Sequence, residues 1–530
     1  MQCLIITSAD YIGTEMVAEF GLVPPAFLPV GNKRLYEHQI EIFHAYCERI
    51  ILTLPDTFLL PDRDLSRLRD LNIELIFLPP NIPLAQSLKY ALNTCGTEYD
   101  KLHVLHGDTL FKGVNFDLIK DGISVNQVKD AYNWAFFDPR HTIRFSHEPR
   151  SDNSIEGSSI VSGYFSFSDT ARIEKMLARA NGNFLKAINL YDAEIPLSII
   201  MDGTWLDFGH LQTFYQSRGL FTTERVFNNL QIEKLTVTKA SSDNVKIQAE
   251  SNWYENIPVS LKPYTAPYFG SVEEEGITKY FLGNMLNATL AELFVFGRLN
   301  FNTWQKIFLA IREFLEKSRN EVTDKSAGDF EHLYRYKTIA RLSAFFEDKG
   351  LDITEPWLIN GAEVPAPLVI VEEMWATIKK SEPINAIMHG DLCFSNIFYD
   401  FRSNTIKTID PRGSVDGIKY SIFGDQRYDI AKLFHSTFGL YDFIVGGFYT
   451  LRRETYDLCL NLPSDDYIFH CQEALLSTRD QKFDPAAFDI KAINILLFFS
   501  MLPLHAENEE RQWALFANAL RLYREHKGRN

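Results

Sequence analysis

The sequence predicts an α/β chain in two parts, a domain built on a mostly parallel sheet followed by a small β-containing lobe and a large helical lobe. Three observations predict it. From residue 1 to about 218, short apolar runs alternate with segments of helical spacing, the signature of crossover units. Beyond about 280 the periodicity is mostly helical. The chain has 530 residues, which at about 150 per domain means roughly three units or two large ones.

In chain order, CLIIT (3–7), RIILTL (49–54), IELIFL (73–78) and KLHVLH (101–106) read as strands, because they are β-branched or leucine-rich and bounded by turn residues. Segments 34–46 and 84–93 between them have helical spacing. The alternation stops near Gln216, and after 220–229 come two β-like runs, LQIEKL and TVTKAS. Helical periodicity then marks 303–318, 327–349, 367–380, 426–437, 465–477 and 485–500, with one exception, a hairpin-like patch at 396–410. The reading is therefore domain 1–218, then 219–530 with a small β lobe over about 226–285 and a helical lobe over about 290–530. The boundary falls at 219–226.

Composition narrows the function classes. Apolar residues make up 46% and charged residues 23%, enough for both a core and a hydrated surface. Lys plus Arg number 53 against 69 Asp plus Glu, a net charge of −16, which argues against a nucleic-acid or membrane-surface partner. Small phosphate-bearing ligands stay possible, since they need only a local cluster of donors. Six cysteines stand far apart with no C-x-x-C pair, so neither a disulfide framework nor a zinc site is expected. The opening MQCLIITSADYIG reads as a first strand, not a signal peptide, and INILLFFSMLPL (493–504) is too short to span a bilayer. A cytoplasmic protein without a membrane span is the expectation.

The strongest motif is Met388-His389-Gly390-Asp391-Leu392-Cys393-Phe394-Ser395-Asn396, in which four residues separate Asp391 from Asn396. Phosphoryl transfer needs a carboxylate facing the acceptor hydroxyl and a second oxygen donor on the same loop for a magnesium ion. Ile409-Asp410-Pro411-Arg412-Gly413 follows, an apolar strand ending in a carboxylate, where Mg²⁺ needs hard oxygen ligands. Taken singly, His-Gly-Asp is a turn and Asp-Pro-Arg-Gly a loop. The second His-Gly-Asp, at 106–108, has Gly113 where the asparagine should stand and is no such loop.

His389–Asn396, with Asp410-Pro-Arg-Gly and Tyr428-Asp429-Ile430-Ala431, resembles the aminoglycoside phosphotransferase/choline kinase family over roughly 225–530. The resemblance implies a two-lobed protein-kinase-like phosphotransferase, with Asp391 as catalytic base, Asn396 and Asp410 as Mg²⁺ ligands, and ATP as donor. Lys239 ends a β-like run and Glu250 follows in a helix-like one, so Lys239–Glu250 is the candidate ATP-binding pair, with Lys246 the alternative lysine. The glycine-rich loop of protein kinases is absent before Lys239, and the A-P-E element is missing. Residues 281–285 read as an adenine-contacting hinge or as apolar core. The aromatics Phe434, Phe438, Tyr441, Phe443, Phe448 and Tyr449 could cage a quaternary ammonium or simply form helical core.

In the first half, residues 26–40 (AFLPVGNKRLYEHQI), Leu84-Ala85-Gln86-Ser87-Leu88, Leu105-His106-Gly107-Asp108, Ser162-Gly163-Tyr164-Phe165-Ser166-Phe167 and Trp205-Leu206-Asp207-Phe208-Gly209 resemble, in order, the segments of sugar-nucleotide pyrophosphorylases and cytidylyltransferases. The resemblance implies a three-layer, Rossmann-like (GT-A-like) nucleotidyltransferase domain over 1–218, with Asp108 and Asp207 on one Mg²⁺ and Gln86 on the base side. Without it, Asp108 would be a turn residue and Asp207 a helix cap. Two cations of the pattern are missing. Glu15 stands at the arginine position of the opening loop and Pro25 at the lysine position, removing charge-assisted bonds worth about 1.5–3 kcal/mol each. Backbone N–H groups at Gly13 and Thr14 could cradle phosphate instead, and Lys33 or Arg34 could supply a cation.

Together the motifs imply an enzyme that phosphorylates a small alcohol (polyol, sugar or amino alcohol) with ATP. It would then couple the phosphate to CTP or another NTP with loss of pyrophosphate, for capsule or surface polysaccharide. The alternative is a small-molecule kinase carrying a degenerate, binding-only transferase domain. A non-catalytic scaffold would have no use for the Asp391, Asn396 and Asp410 set.

Overall fold

The computed structural model describes residues 1–96, 99–128, 132–141, 143–147, 158–219, 229–232, 236–241, 243–320, 329–415 and 420–528. The chain divides into two compact units, Met1–Phe221 and Thr222–Asn530. The boundary expected at 219–226 lies, apart from Gly219, outside the described residues.

The first unit is an α/β domain around one large sheet. Strands β1 (Gln2–Thr7), β2 (Arg49–Pro55), β3 (Glu74–Leu78) and β4 (Lys101–His106) are parallel in the spatial order β3-β2-β1-β4. Leu4, Ile5 and Ile6 are all fully buried, as the continuous apolar run of a central strand covered on both faces requires. Past β4 the sheet turns antiparallel through Ser158–Phe167, whose Tyr164 and Phe165 lie opposite Leu105 and Val104. Helix α1 (Thr14–Phe20) follows the first strand, and α2 (Leu35–Phe43) precedes the second. Helix α3 (Leu84–Cys95) buries Ala85, Leu88, Ala91 and Leu92, one 3.6-residue face, against the sheet. Beyond β4, the short strand β5 (Thr109–Lys112) pairs antiparallel with β6 (Thr204–Asp207), setting Asp207 opposite Thr109. Helix α4 (Leu211–Gly219) closes the unit.

The second unit opens with a four-stranded antiparallel sheet of β7 (Asn229–Ile232), β8 (Thr236–Ala240), β9 (Tyr268–Glu274) and β10 (Ile277–Gly283), in the order β7-β8-β10-β9. Helix α5 (Asn244–Asn256), N-capped by Asp243, lies between β8 and β9. The sequence reading reached β7 and β8 but not β9. That edge strand exposes most of its residues, so no apolar alternation marks it, and its turn runs through Glu275 and Gly276 with φ of 53° and 77°.

The helical lobe comprises α6 (Phe301–Asn320), α7 (Lys337–Lys349), α8 (Pro367–Ile378), α9 (Arg427–Thr437), α10 (Asp466–Ser477), α11 (Phe488–Ser500) and α12 (Glu509–Lys527) as its longer helices. A π-turn, His332–Tyr336, leads into α7. The hairpin expected at 396–410 is Ile397–Asp400 paired with Thr405–Thr408. Two expectations are corrected here. The hairpin is not the lobe's only β structure, since Trp357–Ile359, Ala362–Val364, Thr450–Glu454 and Asp457–Asn461 form a second sheet. The final helix α12 was not anticipated, because 512–520 is buried without interruption and the polar residues Gln512 and Asn518 sit inside, blurring the amphipathic period. Helix α11, the most apolar stretch, is core against α8, α9 and α12. Among the described residues no helix is long and apolar enough to cross a membrane.

One buried polar pair in the first unit has a pH consequence. His103 in β4 is fully buried between the Tyr164 hydroxyl (2.7 Å) and Gln2 Oε1 (2.9 Å). Burial pushes its pKa down to about 3. The unfolded chain therefore takes up a proton below about 6.5 that the folded chain refuses, so stability is lost as pH falls from about 6.5 towards 3. Urea unfolding followed at pH 7 and pH 5 should show a loss of about 2 kcal/mol from this group. His103→Gln should reduce the pH dependence by that amount.

Candidate functional site

The second unit gathers its chemistry around one loop. After Asn385–Ile387, the chain turns through His389 and Gly390, whose backbone N–H groups both donate to the buried Asp429 carboxylate, at 2.8 and 2.7 Å. Burial pushes the Asp429 carboxyl up to about 7, and the two N–H donors oppose it. Trp253 Nε1 of α5 donates to the Met388 carbonyl at 2.8 Å, so the loop is held from both lobes. Asn396 Nδ2 donates to the Asp391 carbonyl (2.9 Å) and to Asp391 Oδ2 (3.0 Å), closing the loop on itself. Ile409 N donates to the Asn396 carbonyl at 3.1 Å, which brings Asp410 alongside. Asp410 has φ +59°, a left-handed conformation uncommon for a non-glycine residue.

Lys239 lies in β8 opposite Tyr280 of β10. Its ammonium is 2.7 Å from Glu250 Oε2 and 2.9 Å from Asp410 Oδ1, and the Tyr280 hydroxyl donates to Glu250 at 2.6 Å. Burial alone would lower the lysine pKa, but Asp410 and Glu250 outweigh it and hold the group protonated. The structure thus brings Lys239, Glu250 and Asp410 together. Lys246 lies one helical turn before Glu250, is half exposed and stands 3.8 Å from Glu250 Oε1.

Asp391 presents 41% of its side chain to solvent and pairs with Lys432 Nζ at 2.8 Å. Burial favours the neutral acid, yet the lysine charge holds the carboxyl well below the usual carboxylate range. Lys432 was missed as a functional residue. The available signal was its place three residues after Asp429, on the same face of α9.

In the first unit the parallel strands end at the turn bearing Asp108. Buried Gln39 of α2 donates to the carbonyls of His106 (3.0 Å) and Thr109 (2.7 Å) and so fixes that turn from behind. Across β5 and β6, a methyl group built on Gly209 would meet Asp108 Oδ2 at 2.6 Å and Asp207 Oδ1 at 3.3 Å, so both carboxylates flank one point. Burial and the neighbouring Asp207 raise the Asp108 carboxyl. Asp207 accepts from Gly209 N (3.1 Å), His210 Nδ1 (3.0 Å) and the Thr213 hydroxyl. His210 is stacked on Tyr132 at 4.0 Å. Burial lowers its pKa, but Asp207, Asp108 and Glu15 together raise it overall.

Gly13, Thr14 and Glu15 are all exposed at the start of α1, and the Glu15 charge acts on His210. Gln86 is exposed in the first turn of α3. Lys33 pairs with Glu41 at 3.1 Å, and among the described residues no ion pair links it to Asp108 or Asp207. Arg34 is corrected as a phosphate cation. It is buried in a two-bond ion pair with Asp64 (3.0 and 2.9 Å) and also donates to the Phe27 carbonyl.

Among the described residues no three or more His, Cys, Asp or Glu side chains gather as a metal site. Asp108 and Asp207 come as a pair about Gly209, and Asp410 is tied to Asn396 through the Ile409 N–H bond to the Asn396 carbonyl. Of the aromatic residues expected as cage or core, Phe434 and Phe443 are buried core, and Phe438, Tyr441, Phe448 and Tyr449 are half-buried. Phe434 stacks on Phe438 at 4.5 Å, Phe443 packs edge-on against Phe294, and Phe448 against Phe296.

No family model matches this chain, and no curated protein does. Among solved structures it is similar to HddC from Yersinia pseudotuberculosis, with 16% identity over 42% of this chain and 99% of that one and a TM-score of 0.30. It is similar to the 4-diphosphocytidyl-2C-methyl-D-erythritol synthase of Anaerococcus prevotii, with 12% identity over 42% of this chain and 95% of that one and a TM-score of 0.28. It is also similar to a thermostable mutant of the aminoglycoside phosphotransferase APH(4)-Ia, with 12% identity over 59% of this chain and 99% of that one and a TM-score of 0.35.

The Asp410 loop depends on a close approach to α5. Gly413 has φ +65°, and a Cβ there would lie 1.9 Å from the carbonyl oxygen of Ala249, the residue before Glu250. Gly413→Ala should cost about 3 kcal/mol or more in urea unfolding, since strain and collision add. Gly447→Ala, with φ +77° but open space around it, should cost only about 1–2 kcal/mol.

Proposed function

We propose that this chain is a bifunctional enzyme. Its second unit transfers the terminal phosphoryl group of ATP to the hydroxyl of a small alcohol. Its first unit joins the resulting phosphate to a nucleotide, CTP in the reading we favour, with release of pyrophosphate. The activated alcohol would serve capsule or surface polysaccharide, and the reactions belong to a cytoplasmic precursor enzyme.

The observation that carries the reading is the Lys239–Glu250–Asp410 cluster joined by one backbone hydrogen bond to the Asp391–Asn396 loop. A buried ammonium shared by two carboxylates suits the α- and β-phosphates of ATP, for which it would exchange part of its pairing with Asp410. Asn396 and Asp410 offer the hard oxygen donors that Mg²⁺ prefers, and bound there the ion would neutralise phosphate charge. Asp391, ionised by its pairing with Lys432, would accept a hydrogen bond from the acceptor hydroxyl and aim its oxygen at the γ-phosphorus. The hydroxyl proton passes to Asp391 late, as the new P–O bond forms and the bond to ADP breaks.

In the first unit, Asp108 and Asp207 form a site of excess negative charge that fits Mg²⁺ as well. A phosphate oxygen of the first product would attack the α-phosphorus of the NTP, with pyrophosphate leaving. Backbone N–H groups at Gly13 and Thr14 would meet the phosphates. A second reading, a binding-only first unit, draws on Glu15 and on the saturation of Asp207 by His210, Thr213 and Gly209.

The full-length protein, Mg²⁺, ATP, CTP and a mixed pool of small alcohols should give ADP and pyrophosphate, with products read by mass spectrometry. Asp391→Asn should lower ADP formation by 100-fold or more. Asp108→Ala and Asp207→Ala should abolish pyrophosphate while leaving ADP formation intact. Pyrophosphate unaffected by both alanine variants, or never formed, would leave the first unit a binding domain. ADP formation indifferent to Asp391→Asn would remove the kinase reading.

A further inference from the structure

The charges around Asp391 are the wrong sign for a cationic amino alcohol. Three elements of the helical lobe converge on the ring of Tyr428, the second residue of α9. The Arg412 guanidinium lies 5.7 Å from that ring, Lys432 Nζ 6.0 Å, and the Tyr334 ring of the π-turn 6.1 Å. The π-turn delivers Lys337 and, one turn later on the same face of α7, Arg341. Arg412 is tied to the catalytic loop through its N–H, which donates to the His389 carbonyl at 2.7 Å.

Carboxylates near this cluster are already committed. Asp425 is paired with Arg427 at 2.7 Å, and Asp429 accepts the His389 and Gly390 N–H groups. Asp391 is paired with Lys432. Neither Lys337 nor Arg412 has a carboxylate within ion-pair distance among the described residues, and Arg341 is anchored on the Ser500 carbonyl at 2.8 Å. Burial first, then the charges of Arg412, Arg341 and Lys432, push the Lys337 pKa down to about 6. The charges acting on Lys239 are those of Asp410 and Glu250, so the two cationic centres are distinct. In a chain with net charge −16, Lys337, Arg341, Arg412 and Lys432 gather with Asp391 as the one carboxylate ion-paired to any of them among the described residues, and that imbalance calls for an anionic ligand.

We propose that the alcohol phosphorylated at Asp391 carries an oxyanion of its own, a carboxylate or a phosphate, held by Lys337, Arg341, Arg412 and Lys432. This rests on the kinase reading above and names its substrate class: a hydroxy acid or a phosphorylated polyol or sugar, not choline-like and not a neutral polyol. Lys337 is then a specificity residue on the acceptor side and has no part in nucleotide binding.

The test uses the full-length protein with Mg²⁺ and a non-hydrolysable ATP analogue filling the nucleotide site, titrated calorimetrically with inorganic phosphate and, separately, with acetate. Saturable binding of at least one anion is expected, weakened 10-fold or more by Lys337→Met and restored by Lys337→Arg. The anion that binds tells phosphate-bearing from carboxylate-bearing acceptors. No anion binding to the wild type, or binding indifferent to Lys337→Met, would overturn the proposal. The kinase reading is tested apart, by whether Lys239→Met abolishes binding of the analogue itself, so either can fail while the other stands.

Discussion

The Lys239 ammonium, with 3% of its side chain exposed, is the point on which the cleft of the second unit is built. Taking an ion out of water costs several kcal/mol, and the cost is recovered only when geometry places opposite charge within contact distance. That requirement fixes several things together. Strand β8 must face Tyr280 across β10, α5 must start at its Asp243 cap so that Glu250 points inward, and the loop after the 397–408 hairpin must deliver Asp410. The loop reaches this position only with Asp410 in a left-handed conformation and Gly413 pressed against the α5 backbone. One positive charge set against two carboxylates leaves negative charge over, and that surplus is what a divalent ion bridging to nucleotide phosphates would neutralise under the proposed function.

The two units solve the same electrostatic problem differently. In the second, cations are visible on both sides of Asp391, one centre at Lys239 and another around Tyr428. In the first, the expected arginine and lysine positions hold Glu15 and Pro25, and Arg34 is spent inside the core on Asp64. Beside the Asp108 and Asp207 pair, His210 donates to Asp207, and the acidic groups around it raise its pKa. A histidine supported in this way depends on the carboxylates and cannot replace an arginine that a triphosphate would meet from outside. Under the proposed function, this asymmetry leaves phosphoryl transfer better supplied with cations than nucleotidyl transfer.

Much of this was legible in the sequence, and the reason is local. Asp391 and Asn396 share a single turn, and Asp108 follows its strand directly, so spacing and flanking apolar residues carry the message. Lys239 and Glu250 were within reach because a strand end and a following helix can be read from periodicity. What stayed hidden depends on long-range packing. Trp253 reaches Met388 across 135 positions, Gln39 holds a turn near residue 108, and the π-turn leading into Lys337 comes beside α9 only where the Tyr334 ring lies 6.1 Å from that of Tyr428. The second small sheet of the helical lobe joins Trp357–Ile359 to Asp457–Asn461, a parallel pairing that no local pattern announces. Arg34 misled for the same reason, since nothing near it in the chain reveals Asp64 as its partner.

The pairing of Asp391 with Lys432 bears on what the carboxylate can do. A carboxyl held well below its usual range is a weak base, poorly suited to removing a proton from an alcohol before phosphoryl transfer begins. In a loose transition state the acceptor oxygen needs little activation until its bond to phosphorus is well advanced, at which point its proton becomes acidic enough for even a weak carboxylate. Under the proposed function Asp391 therefore acts mainly by orientation, and Lys432 acts with it, countering the charge that builds between the acceptor oxygen and the incoming phosphoryl group. An anionic acceptor strengthens this logic. Bringing a negatively charged alcohol up to a triphosphate is opposed by like-charge repulsion, and the surplus of positive charge on the acceptor side of Asp391 offsets it before the chemical step starts.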